Sequence, residues 1–340
     1  MGQSVDAQRY AAPAIVNRLV ADGHLGLKTG QGFYDHRGRD TANYRRDVLQ
    51  RTLGMLRHAG LWRAPADAPV QSTGHPIRRV FADTSVGQLH YASCGDADAP
   101  AVLLLHQSPR SWLEYRAVMP LLAPHCRVIA MDTPGFGDSA PLREDASIEG
   151  WAAVAVELLD ALGIARAHVV GHHTGGVIAL QMAAAHGARV ASLVLSSTPF
   201  THAAFRQARA QRPPIDAVAP STDGSHLAAL WQRRQGFYPP HRPELLEAFV
   251  RDALKASGDV EGGHRAVASY RMEDHIGRVT QPVLILRASD DPFAAPHAAE
   301  LAAHIAQARV VDMPGGMVPL PDQLPEAFAQ AVLGFVLPPA

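Results

Sequence analysis

The segment VVGHHTGGVI, residues 169–178, decides how the rest of the chain is read. Val169 and Val170 close a short apolar run, a polar pair framed by glycines follows, and a helical pattern starts at Thr174 and continues to residue 186. A strand therefore passes into a helix within a few residues. The same texture recurs on both sides. Residues 102–105, 128–131, 193–195, 283–286 and 310–311 are short apolar runs, and residues 151–162 put Val154, Leu158, Leu159 and Leu162 on one helical face before Gly163. Short apolar runs without polar alternation fit strands buried on both faces. Their alternation with amphipathic helices predicts an α/β fold: a mostly parallel sheet with helices on both sides. Residues 199–279 break the rhythm. They carry Pro213–Pro214, Pro239–Pro240 and many Arg and His but no convincing strand, so they read as a helical insertion between two strands.

In such sheets ligands bind beyond the carboxyl ends of the strands. The residues that follow each run are HQSPRSW (106–112), DTPGFGDS (132–139), GHHTGG (171–176), ASDDP (288–292) and PGGMVP (314–319). Their order and spacing resemble the α/β-hydrolase superfamily over residues 77–340. The resemblance implies an α/β-hydrolase fold whose helical cap, at about 199–279, shapes the substrate pocket. It places Gly171-His172-His173-Thr174-Gly175 at the nucleophile elbow, normally G-x-S-x-G, a sharp strand-to-helix turn that forces its central side chain into the active-site cavity. It places Asp291 at the acid position and implies the Thr174 backbone N–H as an oxyanion donor.

Two departures change the expected chemistry. The elbow centre is His173 in place of serine, and Gly316-Met317 stands where the family has Gly-His. Without a hydroxyl nucleophile and its partner base, the serine acyl-enzyme route is closed. Imidazole, however, titrates near neutrality and serves as acid or base. The expectation is that His173 pairs with Asp291 and acts as a general base on water or on a substrate C–H or O–H, with direct attack by the imidazole as a second route. His106 is expected to add a catalytic donor. Gln107, Ser108, Arg110, His172, Thr174 and Met317 are the expected substrate contacts, Arg110 as the holder of a substrate carboxylate and Met317 as pocket lining. Within the cluster His106, His172, His173 and Asp291 no pair has the i, i+4 spacing of a zinc helix, and adjacent side chains such as His172 and His173 diverge, so no metal or other cofactor is expected. The substrate is expected to be a small carbonyl compound (an ester, thioester or lactone, or one cleaved at a C–C bond next to a carbonyl). The competing reading is a catalytically inactive hydrolase fold retained to bind a ligand.

Residues 1–63 read differently. Two helical patterns, around residues 15–20 and 48–56, are closed by Gly23 and Gly60, and 23–35 reads GHLGLKTGQGFYD. This is similar to the signature G-x-x-G-x-K-x-G-x-G-F-Y-D of the 3-hydroxyacyl-CoA dehydrogenase C-terminal domain, over about 50 residues. That family's dinucleotide-binding part has no counterpart, since no G-x-G-x-x-G follows a strand pattern, so no dehydrogenase activity is expected. The expected role is a helical arm, packing on the second domain or forming a homodimer, with residues 64–76 as an Ala/Pro-rich linker.

The bulk composition narrows the class. A net charge of -1 over 340 residues offers no electrostatic basis for binding nucleic acid or an anionic membrane. Apolar residues at 47% and charged residues at 19% suit a globular domain, and no run approaches the roughly 18 apolar residues of a membrane span. Two cysteines, Cys94 and Cys126, cannot build a disulfide framework. The N-terminus lacks the basic-then-apolar order of a secretory signal, so the expected location is cytoplasmic. The 18 histidines exceed ordinary usage, and several lie beside the loops above.

Overall fold

The structure is a computed structural model that describes residues 13–26, 28–38, 44, 48, 51, 52, 55, 74–141, 147–256 and 259–337. It divides into two compact units, Met1–Gln71 and Ser72–Ala340. In the first, helix α1 (Ala14–Ala21) ends at Gly23, which takes a positive φ of 73°. Isolated bridges then join Gly26 to Gln31 and Gln31 to Asp35. Of the second expected helix, residues 48, 51, 52 and 55 are described and helical; the rest of it and most of the expected linker lie outside the described residues.

The second unit is built on eight strands: β1 (Arg78–Thr84), β2 (Gly87–Cys94), β3 (Ala101–Leu105), β4 (Arg127–Met131), β5 (Ala167–His172), β6 (Val190–Ser196), β7 (Val283–Ala288) and β8 (Ala308–Met313). Their order across the sheet is β1-β2-β4-β3-β5-β6-β7-β8. The pairings β1–β2 and β2–β4 are antiparallel and all the others are parallel. This is the α/β-hydrolase fold.

Strand period 2 explains how five-residue runs feed two cores. Leu103, Leu105, Ile129, Val169, Leu193 and Ile285 face one layer, filled by helices α2 (Ile148–Ala161) and α3 (Thr174–Ala185). Val102, Leu104, Val128, Val170, Val194 and Leu284 face the other, filled by α9 (Pro325–Val336) and the four-residue helical segment Met119–Leu122. Ser147 caps α2 by accepting the Gly150 amide at 3.0 Å, and the helix buries Trp151, Val154, Leu158 and Leu159. Helix α3 is buried nearly all round, as an apolar helix wedged against a sheet must be.

Among the described residues between β6 and β7 are the α-helices α4 (Ala203–Ala210), α5 (Ser225–Arg234), α6 (Pro243–Lys255) and α7 (Gly262–Ser269). Leu230, Tyr238, Leu245, Leu246 and Phe249 give this cap a small core of its own, which Val318 joins from the main domain. Helix α8 (Ala298–His304) packs Leu301 back onto the sheet. The strand order reverses at β3. The carboxyl ends of β3 and β5, paired at Leu105 and Gly171, therefore open side by side under the cap, which is where a crevice forms in such sheets.

Candidate active site

Only His173 separates the end of β5 from the start of α3. One residue can reverse the chain so sharply only in an unusual conformation, and His173 has φ 47° and ψ -113°. A non-glycine residue held there costs on the order of 1–3 kcal/mol and persists only if its surroundings fix it. They do. The His173 amide donates to Ser196 O at 3.0 Å, and its carbonyl accepts from Gly176 N at 2.9 Å and Val177 N at 3.2 Å. The flanking glycines permit the tight crossing, since a Cβ at Gly171 would lie 2.1 Å from Gly175 O and one at Gly175 would lie 2.0 Å from Leu105 O.

The turn brings His173 to Asp291, with Nε2 2.7 Å from Oδ2. Asp291 is fully buried, and its Oδ1 accepts from the amides of Phe293 (2.9 Å) and Ala294 (3.2 Å), which fixes the carboxylate. Burial works to raise its pKa, but the charge and contact of His173 and the Phe293 amide outweigh it and hold the group ionised, below its ordinary value. The approach is close but oblique, because neither Nε2 nor Oδ2 has an aligned hydrogen-bond partner.

His173 projects into a cavity of about 610 Å³ whose lining includes Gln107, Ser108, Thr174, Phe293 and Val318 on the main domain and Phe205, Arg209, Arg212, Arg234, His264 and Val267 on the cap. The Thr174 amide is the first N–H of α3 and has no partner inside the helix. Ser108 N makes only a long 3.4 Å bond to the Thr174 side-chain Oγ1, and Ser108 Oγ is buried without a partner. Ser108 and Thr174 line the same cavity as His173, so two backbone donors without strong partners are candidates to receive a developing oxyanion there.

Several expected contacts are placed elsewhere. His106 is 1% exposed and does not line the cavity. Its Nδ1 donates to Gln107 O at 2.7 Å and its Nε2 accepts from Thr133 N at 2.9 Å, so both nitrogens are spent on backbone and the ring braces two loops rather than donating to substrate. Burial lowers its pKa, with nearby Asp132 opposing. His172 lies behind the elbow with its ring at right angles to that of His173. Its Nε2 donates to Val318 O (2.8 Å), so Nδ1 accepts from Ser196 Oγ (2.9 Å). Burial, then the neighbouring His173, push its pKa down to about 3, and it stands as a neutral strut rather than a substrate contact.

Arg110 is not available to a ligand at all. It is fully buried, 2.8 Å from Asp252 Oδ2 on α6 and 2.9 Å from Asp322 Oδ2, with Glu114 at 3.8 Å. It ties the loop after β3 to the cap and to the loop after β8. Burial alone would lower its pKa, but the three carboxylates reverse that. The same burial pushes Glu114 up to about 8. Gln107 lines the cavity, but its amide and Nε2 are committed to Glu114 at 2.9 and 2.6 Å. Met317 does not line the cavity either: its amide donates to Gln323 Oε1 at 2.7 Å, and the next residue, Val318, takes the lining position.

Reading the sequence missed the cap side of the site. Arg234 grips Asp216 at 2.7 and 2.5 Å, and His264 Nε2 is 2.7 Å from the same carboxylate. Burial opposes the Asp216 charge, but Arg234 and His264 bring its pKa down to about 2. His202 and His297 also face the cavity, and with Glu300 they form a group of metal-ligand type. His202 Nδ1, however, accepts the Phe205 amide at 3.1 Å, so its Nε2 carries the proton and faces Glu300 as a donor. The excess of histidine was the only trace of this group in the sequence.

The family model for the alpha/beta hydrolase fold matches residues 100–317, and the chain belongs to that family. A 2-hydroxy-6-oxononadienedioate/2-hydroxy-6-oxononatrienedioate hydrolase of Dechloromonas aromatica (strain RCB) is 30% identical over 61% of this chain and 75% of its own length. Bifunctional epoxide hydrolase 2 of Sus scrofa is 32% identical over 45% of this chain, and the match spans only 28% of that protein. Among solved structures, a hydrolase from Pseudomonas aeruginosa PA01 superposes with a TM-score of 0.66 at 29% identity, covering 76% of this chain and 98% of that one. Among the described residues no helix is long and apolar enough to cross a membrane.

Proposed function

We propose that the protein is a small-molecule hydrolase in which His173, supported by Asp291, acts as a general base on water attacking a carbonyl, with no acyl-enzyme. The 2.7 Å approach of His173 to a buried, ionised Asp291 at the elbow carries this reading. Nε2 faces the carboxylate, so the other nitrogen, Nδ1, is left to take a proton from water. The water oxygen bonds to the carbonyl carbon, and the amides of Thr174 and Ser108 receive the oxyanion. As the tetrahedral species collapses, the imidazolium returns the proton to the leaving oxygen, to sulfur for a thioester, or to carbon where a C–C bond breaks. Positioned base catalysis supplies about 10²–10⁴-fold, and the oxyanion donors add to it. Candidate substrates are esters, thioesters, lactones and 2-hydroxy-6-oxo acids, the last suggested by the name of the Dechloromonas relative.

The experiment is a turnover screen across these classes, followed by His173→Ala on whichever is cleaved. We expect a loss of at least about 100-fold with the fold intact, and no adduct on the intact protein by mass spectrometry after acid quench. Unchanged turnover in His173→Ala would remove the mechanism. A second reading, a ligand-binding protein without turnover, draws on the oblique His173–Asp291 contact. A blank screen together with thermal stabilisation by small acids would favour it.

A further inference from the structure

We infer that the cavity takes a ligand bearing a carboxylate, and that Arg209 and Arg212 of the cap hold that group at the end away from His173; this rests on the cavity being the substrate site. An adjoining cleft shares Arg209, Arg212, Pro214 and His264 with the main cavity but none of His173, Thr174 or Val318. Those four therefore stand where the cavity runs away from the elbow. Phe205, Ala208, Ile215 and Val267 supply apolar wall on the cap side.

The charges at this end are not balanced internally. Arg234 and His264 are satisfied by Asp216. Arg209 Nη1 is aimed by two carbonyls, Arg212 O at 3.2 Å and Pro213 O at 3.1 Å. Its Nη2 lies 4.0 Å from Glu261 Oε2, at the outer limit of an ion pair and beyond hydrogen-bond reach. Among the described residues the Arg212 guanidinium has no ion pair or hydrogen bond. A fixed cation beside an unpaired one, at the end of an apolar-walled cavity, suits a planar anion that accepts two parallel N–H bonds. The ligand so described has a reactive carbonyl at one end, an aliphatic middle and a carboxylate at the other. Arg110, the expected carboxylate holder, is replaced in that role by two cap residues.

The test is calorimetry at low salt with unbranched monocarboxylates from butanoate to octanoate, each against its primary amide, which cannot pair with a cation. We expect the acids to bind more tightly than the amides. Arg212→Gln should weaken the acids by about threefold to fivefold and Arg212→Glu by more than about tenfold, both leaving the amides unchanged and the melting temperature near wild type. Equal binding of acid and amide, or acid binding unaltered in both variants, would overturn the inference. Acid binding lost in His173→Ala but kept in Arg212→Glu would place the carboxylate at the elbow, which also overturns it while leaving the hydrolase reading standing. Arg212-dependent binding without any His173-dependent turnover would support the inference and remove the mechanism.

Discussion

Asp291→Asn isolates what the carboxylate does for His173. The substitution keeps size and shape, and an amide oxygen in place of Oδ1 can still accept from Phe293 and Ala294, so the loop should hold. What changes is the atom facing Nε2 at 2.7 Å. In the wild type an anion there supports an imidazolium. With an effective dielectric near 20, a unit charge at that separation is worth about 6 kcal/mol before screening and alignment are discounted. In the variant an amide N–H faces the ring and favours the tautomer that carries its proton on Nδ1, the nitrogen that has to accept one. Wrong tautomer and lost charge act together, and we expect kcat/KM to fall by about 10²–10⁴-fold. The assay is steady-state turnover on the substrate found by screening, with the melting temperature measured alongside, and with ligand affinity measured to show that the cavity is unaltered. A folded Asp291→Asn protein that keeps more than a tenth of wild-type kcat/KM would refute the dyad.

Arg110→Met removes the one cation among three buried or nearly buried carboxylates; it should destabilise the protein by about 3–5 kcal/mol, read as a lower urea midpoint, and an unchanged midpoint would contradict the role given to Arg110. His106→Asn should lower stability by about 1–3 kcal/mol while leaving kcat/KM of the folded fraction within a few-fold; a hundredfold loss of turnover at unchanged stability would restore His106 to the chemistry. His172 gives a pH dependence of known sign. Its ordinary value of 6.5 is pushed down to about 3, so between those limits the unfolded chain binds a proton that the folded one refuses. Stability from this residue is therefore present above pH 6.5 and lost as pH falls toward 3. His172→Asn should lose less stability than the wild type between pH 6.5 and 4, and parallel curves for the two proteins would contradict a neutral buried ring.

The parallel core of the sheet was readable because its strands are buried on both faces, which leaves short apolar runs with nothing else to be. Strand β1 was not readable for the opposite reason. It is an edge strand whose first four residues, Arg78 to Phe81, are all exposed, so no buried face marks it. The hairpin it forms with β2 is also what makes the sheet mixed. His173 and Asp291 could be singled out because the fold sends the ends of β5 and β7 to the same crevice whatever residues stand there. Their neighbours could not be sorted the same way. Whether a polar residue after a strand faces the cavity or braces the backbone depends on partners far along the chain, such as Thr133 for His106 and Asp252 and Asp322 for Arg110. The substitution of Val318 for Met317 is a shift of one residue, set by the Gln323 side chain holding the Met317 amide. The cap contributions depend on how α4, α5 and α7 lie over the sheet, which no local pattern records.

The geometry of the elbow bears on the use of the histidine at its centre. A relaxed turn would be the easier outcome if the central side chain had no task, since a positive φ at a non-glycine residue is a standing cost of about 1–3 kcal/mol. Yet His173 keeps φ 47°, and Gly171, Gly175 and Gly176 keep the close crossings that leave no room for a Cβ. Behind the turn, His172 is neutral and locked between Ser196 and Val318. A charged neighbour there would repel an imidazolium at His173; a neutral one does not. The acid beside it is buried, ionised and fixed by two amides. Strain, a silent neighbour and a held anion all favour the proton-accepting use of one imidazole, and the His172→Asn and Asp291→Asn variants separate the two supports. If His172→Asn alters stability alone while Asp291→Asn alters turnover alone, the elbow works as a base; if neither touches turnover, its geometry serves binding.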